Sequence, residues 1–178
     1  LAQGFVPYDR AYPSKGMDVD QHHGGSATLE YALGDCALSQ MAMALGERDA
    51  AATLRERGRN WRRVWDVDVA DTGAEFRGFP RPRVDGGGFY VPAHGNYSPR
   101  SNHGFHEGTA WQYQWLVQQD VPGLIEAMGG RDAALRRRHI VHPHAVNAEF
   151  ASADLFQPGD HPQQRGFPAA GWAYENAQ

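Results

Sequence analysis

Residues 105–115 hold the highest density of side chains that can do chemistry. One carboxylate, Glu107, stands just before a stretch that contains Trp111, Tyr113 and Trp115. Carbohydrate sites are often built this way, because aromatic rings stack on the apolar faces of sugars while carboxylates and amides bind the hydroxyl groups. A glutamic acid among such rings is partly desolvated, which favours its protonated form and suits it to general-acid catalysis. The alternative is structural: Glu107 favours a helix N-terminus and the rings form core.

Histidines are the second group with chemical potential. His139, His142 and His144 lie close together in sequence, and others occur singly or in pairs elsewhere. The spacing His-x-x-His-x-His matches no strong zinc signature, and Cys36, the single cysteine, is distant from it. We therefore interpret these histidines as solvated or hydrogen-bonded loop residues and assign no residue of this chain as a metal ligand.

Length and composition indicate one globular domain. The chain has 178 residues, of which 41% are hydrophobic and 21% charged, enough for a single core. Seventeen basic and twenty-one acidic residues give a net charge of -4, so the positive surface typical of a nucleic-acid-binding protein is missing. No apolar run approaches the ~20 residues that a membrane-spanning helix needs. A single cysteine excludes an internal disulfide.

Two helices are predicted, over residues 26–45 and 49–65. Apolar residues recur in both at the i, i+3, i+4 spacing of a helix with one buried face. Ser26 is the expected N-cap of the first helix and Gly46 its expected C′ residue. The connection between the helices is short, so we expect an antiparallel αα-hairpin. The residues expected to be buried are Leu29, Leu33, Met41, Leu54, Trp61 and Trp65.

Residues 66–106 are predicted to form a long functional loop, because prolines and glycines interrupt any helical period there. Helical character returns over 109–117, and Asp120 is the expected N-cap of a short helix that a glycine pair ends. A last helix is expected over 131–140. The predicted fold class is therefore all-α with long irregular loops, as in part of an α/α toroid.

Four groups of short motifs, in order along residues 4–130, point to a known family. They are GFVP at 4–7 with SATLEYA at 26–32 and Asp35, NWR at 60–62 with RPR at 81–83 and DG at 85–86, EG at 107–108 with AWQY at 110–113, and DVPGLI at 120–125 with MGG at 128–130. In wording and order these motifs resemble glycoside hydrolase family 92, the calcium-dependent exo-acting α-mannosidases. Residues 131–178 resemble the family more loosely.

The resemblance implies a reaction and a set of site residues. The reaction is hydrolysis, with inversion, of terminal non-reducing α-linked mannose from mannosides or N-glycans. In the family's Glu-Gly-x-x-Trp-Gln-Tyr motif the glutamate is the general acid, and Glu107 holds that position here. Trp111, Gln112 and His106 are then expected to line the sugar site. Calcium is the implied cofactor, with ligands mostly outside this chain, and secretion to an extracellular or periplasmic location is implied as well.

The resemblance also implies that residues 1–178 are a fragment of one catalytic (α/α)6 barrel domain. The family's N-terminal β-sandwich domain and the C-terminal part of the barrel are absent, with the paired aspartates that supply the base. We therefore expect the chain to associate with the rest of the same polypeptide or a complementary fragment, and to be inactive alone. Two alternatives stay open: another helical-barrel glycosidase or lyase, and a non-catalytic carbohydrate-binding or scaffold fragment.

A cluster of charged residues keeps two interpretations. Arg81, Arg83 and Asp85 belong to the motifs that carry the resemblance. They either contact the sugar or form ion pairs inside the fold, and we favour the internal ion pairs.

Overall fold

A computed structural model describes residues 3–9 and 20–141 of the chain. The chain divides into two compact units, Leu1–Ala134 and Leu135–Gln178, and the core and the candidate site lie in the first. Short 3-10 turns at Asp20–His23, Asn60–Arg63 and Gln118–Asp120 join the longer elements. Those elements, in chain order, are α1 (Gly24–Ala44), α2 (Arg48–Arg57), β1 (Trp65–Asp71), β2 (Phe76–Pro80), α3 (Ala110–Tyr113), α4 (Val121–Ala127) and α5 (Arg131–Val141).

Helices α1 and α2 pack against each other and are joined by a tight turn. Gly46, with a φ of +84°, follows the end of α1, and its N–H donates to the carbonyl of Met43 at 3.1 Å. The N–H of Glu47 donates to the carbonyl of Ala42 at 2.9 Å. These two bonds form a Schellman motif, where glycine is favoured because it adopts a positive φ at no steric cost. The predicted C′ role of Gly46 is confirmed.

The start of α1 differs from the prediction. The helix begins at Gly24, so Ser26 lies inside its first turn, where its hydroxyl donates to the carbonyl of His23 at 3.0 Å. Two N–H groups of the first turn of α1, those of Gly25 and Ser26, donate to the carbonyl of Gly104 at 2.9 and 3.1 Å. A distant loop therefore satisfies the helix end, and the predicted N-cap at Ser26 is wrong.

A two-stranded antiparallel sheet shows that the predicted all-α fold class is wrong. β1 pairs with β2, and Asp71 of β1 lies opposite Phe76 of β2. The predicted second helix ends early because Gly58 caps α2, and Trp65 opens β1. The i, i+4 spacing of Trp61 and Trp65 imitated a helix, whereas the sequence WDVDVAD from Trp65 onward alternates with the period of a strand. The structure of these residues is mixed helix and strand, and the predicted loop over 66–106 contains most of the hairpin.

The core of the first unit is rich in aromatic side chains. Trp61 is fully buried and meets Trp65 edge to face, with ring centroids 5.9 Å apart. Burial is confirmed for Leu29, Trp61 and Trp65, while Leu33 and Leu54 are only partly buried. The prediction for Met41 is wrong, since its residue is 61% exposed. It shares an exposed apolar face at the C-terminal end of α1 with Leu38 and Leu45, at i, i+3 and i+7 spacing, while Met43 is exposed on another side of the helix.

The later helices follow the sequence pattern with shorter bounds. The predicted helix over 109–117 is a single turn, α3, followed by a 3-10 turn. Asp120 caps α4 as predicted, because its carboxylate accepts from the N–H of Gly123 at 3.0 Å. Pro122 stands in the first turn of α4, where its missing N–H costs nothing. Among the described residues, no helix has the length and apolar character that crossing a membrane requires.

Candidate active site

The loop before Glu107 is fixed to the start of α1. Besides the two bonds to Gly104, the N–H of His106 donates to the hydroxyl oxygen of Ser26 at 3.1 Å. A Cβ at Gly25 would lie 2.8 Å from the carbonyl oxygen of Gly104, so only glycine allows this approach. The motif around residues 24–26 therefore does more than begin a helix: it holds the loop that carries the candidate acid.

Glu107 has an unusual backbone and an exposed side chain. Its φ is +45°, in the left-handed region that residues other than glycine rarely adopt. The side chain is 86% exposed, and one carboxylate oxygen lies 3.8 Å from Nε2 of His106. The desolvation expected from neighbouring rings is not supplied by the described residues. The backbone strain, by contrast, marks the residue, because such conformations cluster at functional sites.

His106 contacts groups on two other elements. Its Nδ1 lies 3.5 Å from Nε2 of His23, and the two rings meet edge to face with centroids 4.8 Å apart. Its carbonyl accepts a hydrogen bond from the hydroxyl of Tyr113 at 3.0 Å. Burial, together with the negative charge of Glu30, raises the pKa of the Tyr113 hydroxyl, so this donor keeps its proton. His106 precedes Glu107 directly in sequence, and these contacts fix where its ring and backbone lie.

Trp111 is held by a buried carboxylate that the sequence analysis did not single out. Its indole N–H donates to Asp71 at 2.6 Å, and its ring packs against Phe79 with centroids 5.0 Å apart. Asp71, the last residue of β1, also accepts from Nε of Arg100 at 2.6 Å. The nitrogen and part of the ring of Trp111 are thereby used inside the fold, and only part of the side chain remains accessible.

Asp71 is the most strongly bonded carboxylate of the site region. Its other oxygen accepts from the N–H groups of Gly73 and Ala74 at 3.1 and 3.2 Å. Burial alone would raise the pKa of Asp71, but the hydrogen bonds from Arg100 and Trp111 and the charge of Arg100 outweigh it and hold the pKa below its ordinary value. No local motif announces this role, since its partners lie 29 and 40 residues away in sequence.

Gln112 is engaged at the start of its own helix. Its side-chain oxygen accepts from the N–H of Thr109 at 2.8 Å, which satisfies one of the free donors at the N-terminus of α3. The residue is otherwise exposed, so its amide nitrogen faces solvent beside the loop of Glu107. Gln112 therefore has a structural role in the described chain in addition to any contact with a sugar.

The charged motif residues are mostly paired inside the fold. Arg81 donates to Asp66 at 2.9 Å, and both side chains are largely buried. The guanidinium of Arg83 donates to the carbonyls of Arg63 and Gly87. Asp85 accepts from the side chain of Gln3 at 2.9 Å and forms no ion pair with either arginine among the described contacts. Of the predicted internal ion pairs, the described residues show one for Arg81, with Asp66 as its partner, whereas Arg83 is bound to backbone carbonyls.

A cleft beside β1 lies apart from the predicted site residues. It has a volume of about 730 Å³ and is lined by residues of β1 and of the loop after β2. Its charged or polar lining includes Asp68, Asp71, Arg81, Asn96, Ser98 and Arg100. Asp71 lines this cleft and also accepts the indole N–H of Trp111, so its side chain connects the cleft to α3.

Metal ligands do not cluster in the part of the chain that the structure describes. No three side chains of His, Cys, Asp or Glu there lie close enough together to hold an ion. His142 and His144 lie outside the described residues, and of the side chain of His139 nothing is described.

Comparison with known proteins assigns the chain to a class of sugar-cleaving enzymes. The family model described as the glycosyl hydrolase family 92 catalytic domain matches residues 1–174. The chain belongs to glycoside hydrolase family 92. The resemblance recognised from the motifs is confirmed. No curated protein sequence matches the chain significantly.

Solved structures of the same family resemble the chain. An α-mannosidase of the family from Bacteroides thetaiotaomicron is 26% identical, with a TM-score of 0.62 over 79% of this chain and 16% of that one. An inverting mannosidase from Bacteroides thetaiotaomicron VPI-5482 is 26% identical, with a TM-score of 0.56 over 75% of this chain and 15% of that one. The family hydrolase ccman5 is 27% identical, with a TM-score of 0.56 over 82% and 17%. The chain thus spans about a sixth of the length of these proteins.

Proposed function

We propose that the protein containing this chain hydrolyses terminal, non-reducing α-linked mannose from mannosides or N-glycans with inversion, and that Glu107 is its general acid. Family membership and mannosidase neighbours support the substrate class. The observation that carries the role of Glu107 is the placement of its carboxylate. That carboxylate is exposed, lies 3.8 Å from Nε2 of His106, and follows a loop that hydrogen bonds anchor to the start of α1.

The chemistry asks two things of the acid. Glu107 must be protonated when substrate binds, and its proton must pass to the glycosidic oxygen as the bond to the sugar breaks. In an inverting enzyme a second carboxylate activates water on the opposite face of the ring, roughly 6.5–9.5 Å away. That base is a residue beyond the described ones. Exposure of Glu107 to solvent leaves its carboxylate free to meet a substrate that arrives from outside this unit.

The other predicted site residues have graded roles in this proposal. His106 lies beside the acid and is the best placed of them to contact the same sugar. Trp111 and Gln112 act first by fixing α3, through Asp71 and Thr109, and offer the sugar only their remaining surface. Loss of their internal bonds would therefore displace the helix as well as remove a sugar contact.

We also propose that the rest of a longer catalytic domain covers this chain. Leu38, Met41 and Leu45 share one exposed apolar face at the C-terminal end of α1, and exposed apolar patches often mark an interaction site. The matched structures are about six times as long as the chain, which is room for such a partner. We propose calcium as the cofactor, held by oxygen ligands beyond the described residues. We also propose that the protein is secreted.

The test of the proposal is Glu107→Gln in the complete protein. The variant keeps the shape of the side chain but has no proton to donate, so cleavage of mannobiose should fall by about 10²–10⁴-fold. An aryl mannoside with an acidic phenol as leaving group needs no protonation, so the rate of its cleavage should fall far less.

Glu75→Gln is the matched control, because Glu75 is also exposed and also has a positive φ, of 58°, in the turn between β1 and β2. It should leave both rates unchanged. Equal losses on the two substrates would indicate damage to binding or folding, and an unchanged mannobiose rate would remove Glu107 from the mechanism.

A further inference from the structure

A row of three titratable groups leads from the candidate acid back to the start of α1. A carboxylate oxygen of Glu107 lies 3.8 Å from Nε2 of His106, and Nδ1 of His106 lies 3.5 Å from Nε2 of His23. Both distances are long for hydrogen bonds, but catalytic contacts often tighten only when substrate binds. His106 offers one ring nitrogen to each neighbour, so the two contacts depend on each other.

The dependence follows from the chemistry of imidazole. A neutral ring carries one N–H, and its other nitrogen is an acceptor. If the proton of His106 is on Nε2, the ring donates to Glu107 and favours its ionised form, which has no proton to give. If the proton is on Nδ1 and is donated to His23, Nε2 becomes an acceptor and stabilises the protonated carboxyl group. The second neighbour of a histidine thus decides which tautomer faces the first.

We propose that His23 is a positioning residue for the general acid. Its Nε2 accepts the Nδ1–H of His106, which keeps Nε2 of His106 as the acceptor for the proton of Glu107. The inference rests on the proposed function, in which Glu107 is the acid. No proton is consumed in this arrangement, since the row only selects where existing protons reside.

Other titratable groups lie near the row. The rings of His22 and His23 have centroids 6.3 Å apart. The carboxylate of Glu30 lies 3.4 Å from the Tyr113 hydroxyl, and that hydroxyl donates to the backbone carbonyl of His106 at 3.0 Å.

The experiment compares variants of His23 in the complete protein, with mannobiose as substrate across a range of pH. His23→Leu removes the acceptor, so His106 can turn its proton toward Glu107. The alkaline limb of the pH–rate profile should then move to lower pH by roughly 0.5–1 pH unit. The rate on the plateau at lower pH should be nearly retained. His23→Gln places an amide oxygen near the position of Nε2 and should restore the limb.

Two further variants keep the test decisive. His23→Asn has the same polarity as the Gln variant but reaches less far, so it should behave like Leu even if the Leu variant does not fold. His22→Leu, the matched control, should leave the profile unchanged. A structural role would lower the rate equally at every pH.

The inference is wrong if His23→Leu and His23→Asn keep the wild-type limb, or if all variants lose activity equally across the pH range. A wild-type protein without any mannosidase activity would instead overturn the proposed function, and this inference with it. A displaced limb that Gln restores supports the positioning role.

Discussion

Replacement of Glu107 by glycine should abolish catalysis while leaving the stability of the fold unchanged or raising it. A non-glycine residue in the left-handed region costs about 1–2 kcal/mol, and Glu107 lies there with a φ of +45°. Glycine removes that cost, but it also increases the conformational entropy of the unfolded chain, which lowers the free energy of unfolding by about 0.4–1 kcal/mol. The contact with His106 is highly exposed and adds at most about 0.5 kcal/mol. The net effect is a free energy of unfolding that is unchanged or about 1 kcal/mol higher.

The comparison with alanine sharpens the measurement. Glu107→Ala keeps the backbone strain, so the glycine variant should be more stable than the alanine variant by roughly 1 kcal/mol. Urea titrations followed by tryptophan fluorescence measure this difference, and mannobiose hydrolysis by the complete protein measures activity. Both variants should lose at least as much activity as Glu107→Gln, because neither carries a proton to donate.

Glu75 supplies the matched pair for this test. It has a φ of 58° in an exposed turn and belongs to no proposed site, so Glu75→Gly should also exceed Glu75→Ala in stability while both keep full activity. The reasoning is refuted if Glu107→Gly is no more stable than Glu107→Ala. Retained mannobiose activity in Glu107→Gly would refute the catalytic half.

Two further substitutions test the packing around the site. Asp71→Ala removes the acceptor of the half-buried indole N–H of Trp111, at a cost of about 1–3 kcal/mol, whereas the guanidinium of Arg100 is 62% exposed and can bind water instead. The folded pKa of Asp71 is lowered, so the stabilisation by its carboxylate is present above the unfolded pKa of about 3.9 and is lost as the pH falls through the folded pKa. Urea titrations should therefore show a smaller difference in stability between Asp71→Ala and wild type at pH 3 than at pH 7. Gly123→Ala would place a methyl group against the carboxylate of Asp120 and displace it from the N-terminus of α4, so loss of this cap should cost about 0.5–2 kcal/mol by thermal denaturation. The control Gly34→Ala, with nothing within 4 Å of the added Cβ, should stabilise α1 by about 0.5–1 kcal/mol, and an equal effect of the two would contradict the packing argument.

The sequence alone was a good guide wherever the signal is local. The C′ glycine at Gly46 and the N-cap at Asp120 were predicted correctly, because each depends on residues within one helical turn. The motif wording and order were likewise enough to recognise the family, which the match over residues 1–174 confirms. Glu107 was singled out by its neighbours in sequence, although its role stays a proposal.

The first error of the sequence analysis shows where periodicity fails. Trp61 and Trp65 are spaced as on one helical face, yet the chain changes from a 3-10 turn to a strand between them. Pairing with β2 decides that outcome, since a strand is stabilised by a partner that the local pattern does not contain. The predicted burial of Met41 is wrong for a related reason. A helical stripe predicts a buried face, but other parts of the fold decide what covers that face.

The tertiary structure alone decided how the candidate site is held. Gly104 caps α1 from about eighty residues away, Asp71 binds Trp111 across 40 residues, and His23 meets His106 across 83. Hydrogen bonds depend on distances of a few ångströms and on direction. A sequence read along the chain carries neither for residues so far apart. Residue types therefore determined which chemistry was available to this protein, and the packing of α1, β1 and α3 determined which side chains stand where they can perform it.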